Sequence, residues 1–204
     1  SFERALQVKP DYDFLYGRWL LARMQVCDWD GIEGDFSRLA GKIERDEKAS
    51  EPGAVLSMPI SPLLQRKAAE IWVRAKHPGS DALPPLAKRP AHERLRIGYV
   101  SADFREHSVS RLMVELFERH DRKRFESIAI SLSPEERSPM GQRVKNAFDR
   151  FVDVSRHSDL EVARIMRGLE VDIAVDLMGY TKSGRPGIFA ARSAPVQVAY
   201  LGYL

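Results

Sequence analysis

"LRIGYVSADFREHSVSRLMVELF", residues 95–117, holds the decision about fold. Leu95 to Ser101 is a short β-branched and aromatic run, the composition of a buried strand. Beyond the turn, Val109, Leu112, Met113, Leu116 and Phe117 follow the spacing of an amphipathic helix. A strand that turns directly into a helix opens a βαβ unit, and the alternation repeats downstream. "FESIAISL" (125–132), "RFVDVS" (150–155), "VDIAVDL" (171–177) and "PVQVAYLG" (195–202) read as further strands. Helices are expected around 140–149, from Asp159 to about Gly168, and near 187–192. Helices of this length between short strands predict right-handed crossovers on a parallel sheet, so the fold class is α/β with a Rossmann-like, doubly wound lobe.

Upstream the period is helical. In residues 2–26, Phe2 and Leu6, then Leu15, Trp19, Ala22 and Val26, keep one stripe, interrupted at Lys9-Pro10-Asp11 where proline stops the first helix. The segment "FERALQVKPDY" resembles the close of a tetratricopeptide repeat, in which a helix ending in Ala-Leu runs into a Pro-Asp turn. Residues 30–47 and 62–76 read as two more helices; Ser61 followed by Pro62 is a helix start, with Leu63, Leu64, Ala68, Ile71 and Trp72 as its buried stripe. "HPGSDALPPLAKRPAHE" (77–93) is rich in proline and glycine and has no period, as an interdomain linker would. The expected organisation is the end of a repeat array over 1–27, a helical connector and linker over 28–93, and the α/β lobe over 94–204. The chain starts in mid-pattern and stops in an apolar run, so it reads as a fragment of something longer.

Composition removes several function classes. With 32 Lys+Arg against 29 Asp+Glu the formal charge is only +3, and the basic residues are interleaved with acidic ones, which is a solvated surface rather than a nucleic-acid footprint. The densest basic run, Arg122-Lys123-Arg124, falls in a helix-to-strand connection. Cys27 is the sole cysteine and forms no internal disulfide, which fits a reducing, cytoplasmic setting. No apolar run reaches the ~18 residues of a membrane span.

In open α/β sheets ligands bind at the carboxyl ends of the strands, where strand order reverses. Two turns compete for that place. "SADFREHSVS" (101–110) contains no glycine, which excludes a dinucleotide cradle whose backbone must approach a pyrophosphate. There is no Walker sequence, and His77, His92, His107, His120 and His157 are not spaced as metal ligands. His107 remains, expected just before Ser108 as the N-cap, where an imidazole can act as a base or a hydrogen-bond donor, or merely pack the turn. In "LMGYTKSGR" (177–185), Gly179 permits a φ > 0 bend, so that Tyr180, Thr181 and Lys182 project from the same edge. Asp176 is either a cleft carboxylate or a strand-end cap; Lys182 and Arg185 either meet a phosphate or are solvated.

The order of these motifs carries a resemblance. "LRIGYVSADFREHSVSRLM", followed about sixty residues later by "VDIAVDLMGYTKSGRPGIFAARSAPVQVAYLGY", resembles the N-terminal half of the catalytic region of the O-linked N-acetylglucosamine transferase family, which includes the plant-type O-fucosyltransferases. "CDW" (27–29) resembles the segment joining repeats to that region. The resemblance implies half of a GT-B fold, an inverting transfer without metal or other cofactor, and a nucleotide sugar held mainly by a second lobe. UDP-N-acetylglucosamine is the expected donor, with GDP-fucose or an inactive interaction protein as alternatives. It implies that His107 lies near the sugar and the acceptor hydroxyl, in the role considered for a catalytic base. Asp103, Ser108, Gly179, Tyr180, Thr181 and Lys182 become candidate substrate-binding residues, and protein acceptors the expected partners through the repeats. Leu204 stands where the family pattern has proline.

Overall fold

The computed structural model describes residues 1–79, 82–88, 90 and 92–203. The chain forms two compact units, Ser1–Pro78 and Gly79–Leu204, so the division falls inside the Pro/Gly-rich stretch.

The first unit is helical: α1 (Phe2–Val8), α2 (Leu15–Gln25), α3 (Ile32–Glu44), α4 (Pro52–Val55) and α5 (Pro62–Lys76). Pro10 lies in the turn after α1, and Ser61 caps α5 by accepting from Leu64 N at 3.4 Å. One core, including Phe14, Leu20, Leu39, Ile43, Val55 and Ile71, serves α2 to α5. The Asp28 of "CDW" is tied to α2 by Arg23 Nε at 2.8 Å, while Arg23 Nη1 reaches Asp35 on α3 at 2.7 Å. Leu63 departs from expectation: it is 75% exposed. Leu64, Ala68, Ile71 and Trp72 keep the i, i+4, i+7, i+8 stripe, and Leu63 falls on the solvated face with Arg66, Glu70 and Arg74.

The second unit holds five parallel strands, β1 (Leu95–Ser101), β2 (Phe125–Ser131), β3 (Arg150–Asp153), β4 (Ile173–Asp176) and β5 (Val196–Ala199), in the order β3-β2-β1-β4-β5. The helices α6 (Ser108–Glu118) and α7 (Pro139–Ala147) share one core with Ile97, Tyr99 and Val175. The helices α8 (Asp159–Gly168) and α9 (Gly187–Ala190) lie over Val100, Ile128, Ile130 and Ala174 on the opposite face. This is the Rossmann-like lobe the alternation predicted. In α6 the buried stripe is Ser110, Met113, Val114 and Phe117, whereas Leu112 is 69% exposed and Leu116 is also exposed. The apolar residues of α6 cover two adjacent stripes, and the sheet takes the one with Phe117.

The edge of the sheet opposite the strands' carboxyl ends carries a polar latch. His92 places Nδ1 2.9 Å from Asp172 Oδ2 and Nε2 3.1 Å from Glu170 Oε2. Arg96 gives its amide to Asp172 at 2.9 Å and its guanidinium to Glu170 at 2.7 Å. The bonds to Asp172 and then Glu170 raise the His92 pKa. A raised pKa in the folded state stabilises fully below the unfolded value of about 6.5, and that stability is lost as pH rises through the folded value. The lobe's melting temperature should therefore fall as pH is taken from about 6 to above neutrality. His92→Gln should flatten that slope; an unchanged slope in thermal melts would exclude His92 as its source.

Candidate functional site

The strand order reverses at β1 and β4. From β1 the chain leaves to α6 on one face, and from β4 to α9 on the other, so the turns after these two strands flank the crevice where such sheets bind ligands. The register pairs Val100 with Asp176. Met178 joins the turns: its sulfur accepts from Ser101 Oγ and from Ala102 N, both at 3.4 Å.

The first turn is locked from within. Asp103 is buried; its amide donates to Ser101 Oγ at 3.0 Å, and its carbonyl accepts from Ser110 Oγ of α6. Arg105 Nη2 donates to Asp103 Oδ1 at 3.1 Å, while Arg105 Nε reaches the Ala102 carbonyl at 3.3 Å. These bonds fix the carboxylate next to His107, whose Nδ1 lies 3.5 Å from Asp103 Oδ2. A glycine-free turn needs such side-chain bonds because no flexible residue is available to tighten it. The N-cap of α6 is His107 itself, not Ser108: its Nδ1 accepts from Val109 N at 3.2 Å, and Ser108 is the first helical residue, exposed to solvent. Serine is a common cap, but here the extended backbone of His107 puts the imidazole, one residue earlier, over the second helical amide.

The second turn is built on close backbone approach. Asp176 Oδ1 accepts from Met178 N at 2.9 Å and from Gly179 N at 3.2 Å, so this carboxylate caps the strand end. Burial pushes its pKa above the ordinary carboxylate range, against the lowering effect of those two amides. Thr181 Oγ1 donates to the Met178 carbonyl at 2.7 Å, and Tyr180 N donates to the Tyr203 carbonyl at 2.8 Å. The Tyr180 and Tyr203 rings meet at 5.9 Å. Lys182 is exposed. Arg185 is committed elsewhere: it holds Asp159 at 2.7 Å and the His157 carbonyl at 2.6 Å, at the start of α8. Gln197 is likewise structural, since Oε1 accepts from Ser193 N and Oγ while Nε2 donates to the Phe189 carbonyl.

Asp103 and His107 thus meet in one turn, and Gly179, Tyr180, Thr181 and Lys182 form the other. Sequence reasoning missed Met178 and Arg105, the first because a strand-end methionine has no local signal, the second because its charge read as solvated. Among the described residues, no group of three or more His, Cys, Asp or Glu side chains is placed to hold a metal ion, and no helix is long and apolar enough to cross a membrane.

The glycosyl transferase family 41 model matches residues 82–204, the whole second unit apart from its first residues. The chain belongs to glycosyl transferase family 41. Among family 41 relatives, the Arabidopsis thaliana protein named "Probable UDP-N-acetylglucosamine peptide N-acetylglucosaminyltransferase SEC" is 32% identical over 193 residues, 87% of this chain and 20% of the relative. The Caenorhabditis elegans UDP-N-acetylglucosamine peptide N-acetylglucosaminyltransferase is 31% identical over 198 residues, 87% of this chain and 17% of that one. The chain therefore spans about one fifth of the length of these relatives. Among solved structures, a mutant of the Thermobaculum terrenum O-GlcNAc transferase aligns over 98% of this chain and 39% of its own, with a TM-score of 0.68 and 29% identity. The family 41 resemblance and the helical-plus-α/β fold expected from the sequence both stand.

Proposed function

We propose that this chain is the N-terminal catalytic lobe, with its preceding helices, of a protein O-glycosyltransferase that moves N-acetylglucosamine from UDP-N-acetylglucosamine to serine or threonine hydroxyls of proteins. The observation that supports it is that the strand order reverses between β1 and β4, so that the turn with His107 beside Asp103 and the turn with Gly179–Lys182 leave the same edge of the sheet, in a chain whose relatives carry that activity in their names. In this reading the acceptor oxygen attacks the anomeric carbon from the face opposite the leaving nucleotide, with inversion and without a metal ion, as the family resemblance implies. His107 is the catalytic residue, in contact with the reacting oxygens. Asp103 orients it, while Ser108, the half-buried Tyr180 and the exposed Thr181 and Lys182 contact substrate. The negative charge of the departing diphosphate is met by lysines and helix N-termini of a second lobe. Residues 1–27 close a repeat array that receives protein acceptors, residues 28–93 connect it to the catalytic lobe, and the single cysteine fits a cytoplasmic location.

The test is transfer by the full-length protein. It should label a protein acceptor from UDP-N-acetylglucosamine in the presence of a chelator, and the 204-residue chain alone should not turn the donor over. Labelling from GDP-fucose in preference would replace the donor assignment. Absence of transfer from both sugars would leave an interaction protein.

A further inference from the structure

One sulfur atom carries the contact between the two turns. Met178 follows β4 and is buried, and its backbone is fixed at both ends within its own turn. Its amide donates to Asp176 Oδ1 at 2.9 Å, and its carbonyl accepts from Thr181 N at 3.2 Å and from Thr181 Oγ1 at 2.7 Å. The side chain serves the other turn. The β1–β4 ladder ends where Leu177 N donates to the Val100 carbonyl at 3.1 Å, and the next amide of the first turn, Ala102 N, donates to Met178 Sδ at 3.4 Å instead. Ser101 Oγ donates to the same sulfur. A thioether accepts and cannot donate, so the Ser101 hydroxyl turns its proton toward Met178 and keeps a lone pair for the Asp103 amide, 3.0 Å away. Ser101 and Ala102 are buried too, so a donor that loses the sulfur has no solvent to turn to.

We infer that Met178 is a positioning residue for the transfer: its sulfur, as the shared acceptor of Ser101 and Ala102, sets the place of Asp103 from the opposite turn and holds the two turns together. The inference rests on the cleft reading above and names what keeps that cleft in shape. Packing alone would be served as well by leucine, which has nearly the same volume and accepts nothing. The unbranched thioether reaches across from a turn whose own backbone is already committed, and it meets two donors that the sheet leaves over. Asp103 is then defined at both ends, its amide on Ser101 Oγ and its carboxylate on Arg105 Nη2 at 3.1 Å. Groups at a reacting centre have to be held within about 0.5 Å of their working geometry, so a loosened Asp103 slows the step more than it weakens donor binding.

Met178→Leu and Met178→Gln in the full-length protein separate the two uses of the side chain. Leucine keeps the apolar volume without an acceptor; glutamine keeps an acceptor at similar reach but sets an amide in an apolar site. With the sulfur as acceptor, hydrogen exchange in the peptide covering Ala102 and Asp103 accelerates about tenfold or more in Met178→Leu and about threefold or less in Met178→Gln. Per folded molecule, kcat for transfer from UDP-N-acetylglucosamine falls in the same order, about tenfold and about threefold, while KM moves less than about twofold. The reverse order, with glutamine the more damaging in exchange and in kcat, makes Met178 a filler and overturns the inference. Unchanged exchange in Met178→Leu overturns it as well. Failure of the cleft reading looks different: exchange follows the expected order, yet kcat stays at the parent value because the loosened turns take no part in transfer.

Discussion

Phe117→Ala should destabilise the second unit by about 3–5 kcal/mol, the cost of truncating a fully buried aromatic side chain and leaving a cavity. Phe117 is 1% exposed, and its ring contacts Phe148 at 4.5 Å, Tyr99 at 5.0 Å and Phe104 at 6.1 Å between centroids. It therefore joins β1, α6, α7 and the turn that carries Asp103 and His107, because Phe104 belongs to that turn. Against a domain stability of about 5–15 kcal/mol the loss is large, equivalent to roughly 10–20 °C in melting temperature. Leu112→Ala, five residues earlier on the same helix but 69% exposed, should cost less than about 1 kcal/mol. Thermal melts of the two variants check this; equal shifts would show that α6 does not bury the stripe described.

That contrast also shows how much of the fold was legible. Strand and helix alternation fixes the crossovers and hence the doubly wound lobe, because each segment's period depends on its own residues. β1 over 95–101, α5 over 62–76 and α8 from Asp159 to Gly168 were readable to their ends. Leu112 and Leu63 were misplaced for one reason: a helix with two neighbouring apolar stripes does not reveal which of them a sheet or another helix will cover. α4 was not foreseen, since four residues carry too little of a helical period to register. At the site, placement of His107 and of the Gly179 turn at the strands' carboxyl edge follows from topology. The partners of those residues do not. The exchange of cap between Ser108 and His107 depends on one backbone angle, the commitment of Arg185 to Asp159 on contacts across 26 positions, and the role of Met178 on its position beneath the neighbouring turn.

Gly179→Ala and Gly202→Ala should each cost about 2–4 kcal/mol and displace the turn that carries Tyr180, Thr181 and Lys182. Gly179 has φ +53° and Gly202 φ +81°, conformations that charge an alanine about 1–2 kcal/mol. Space adds to this. A Cβ on Gly179 would lie 2.0 Å from the Tyr203 carbonyl oxygen, and one on Gly202 would lie 2.1 Å from the Met178 carbonyl oxygen. Both obstacles are backbone, so relief requires the 178–179 and 202–203 segments to separate, breaking the Tyr180 N to Tyr203 O bond of 2.8 Å. Hydrogen exchange at the Tyr180 amide should accelerate in both variants, and the transfer proposed for the full-length protein should fall further than the loss of folded protein explains. Gly168→Ala is the control: a Cβ there meets nothing within 4 Å, and helix propensity should make the change neutral or stabilising by up to about 1 kcal/mol. Unchanged Tyr180 protection in Gly179→Ala would mean that the two segments are not held in contact, and the second wall of the crevice would then need another source of order.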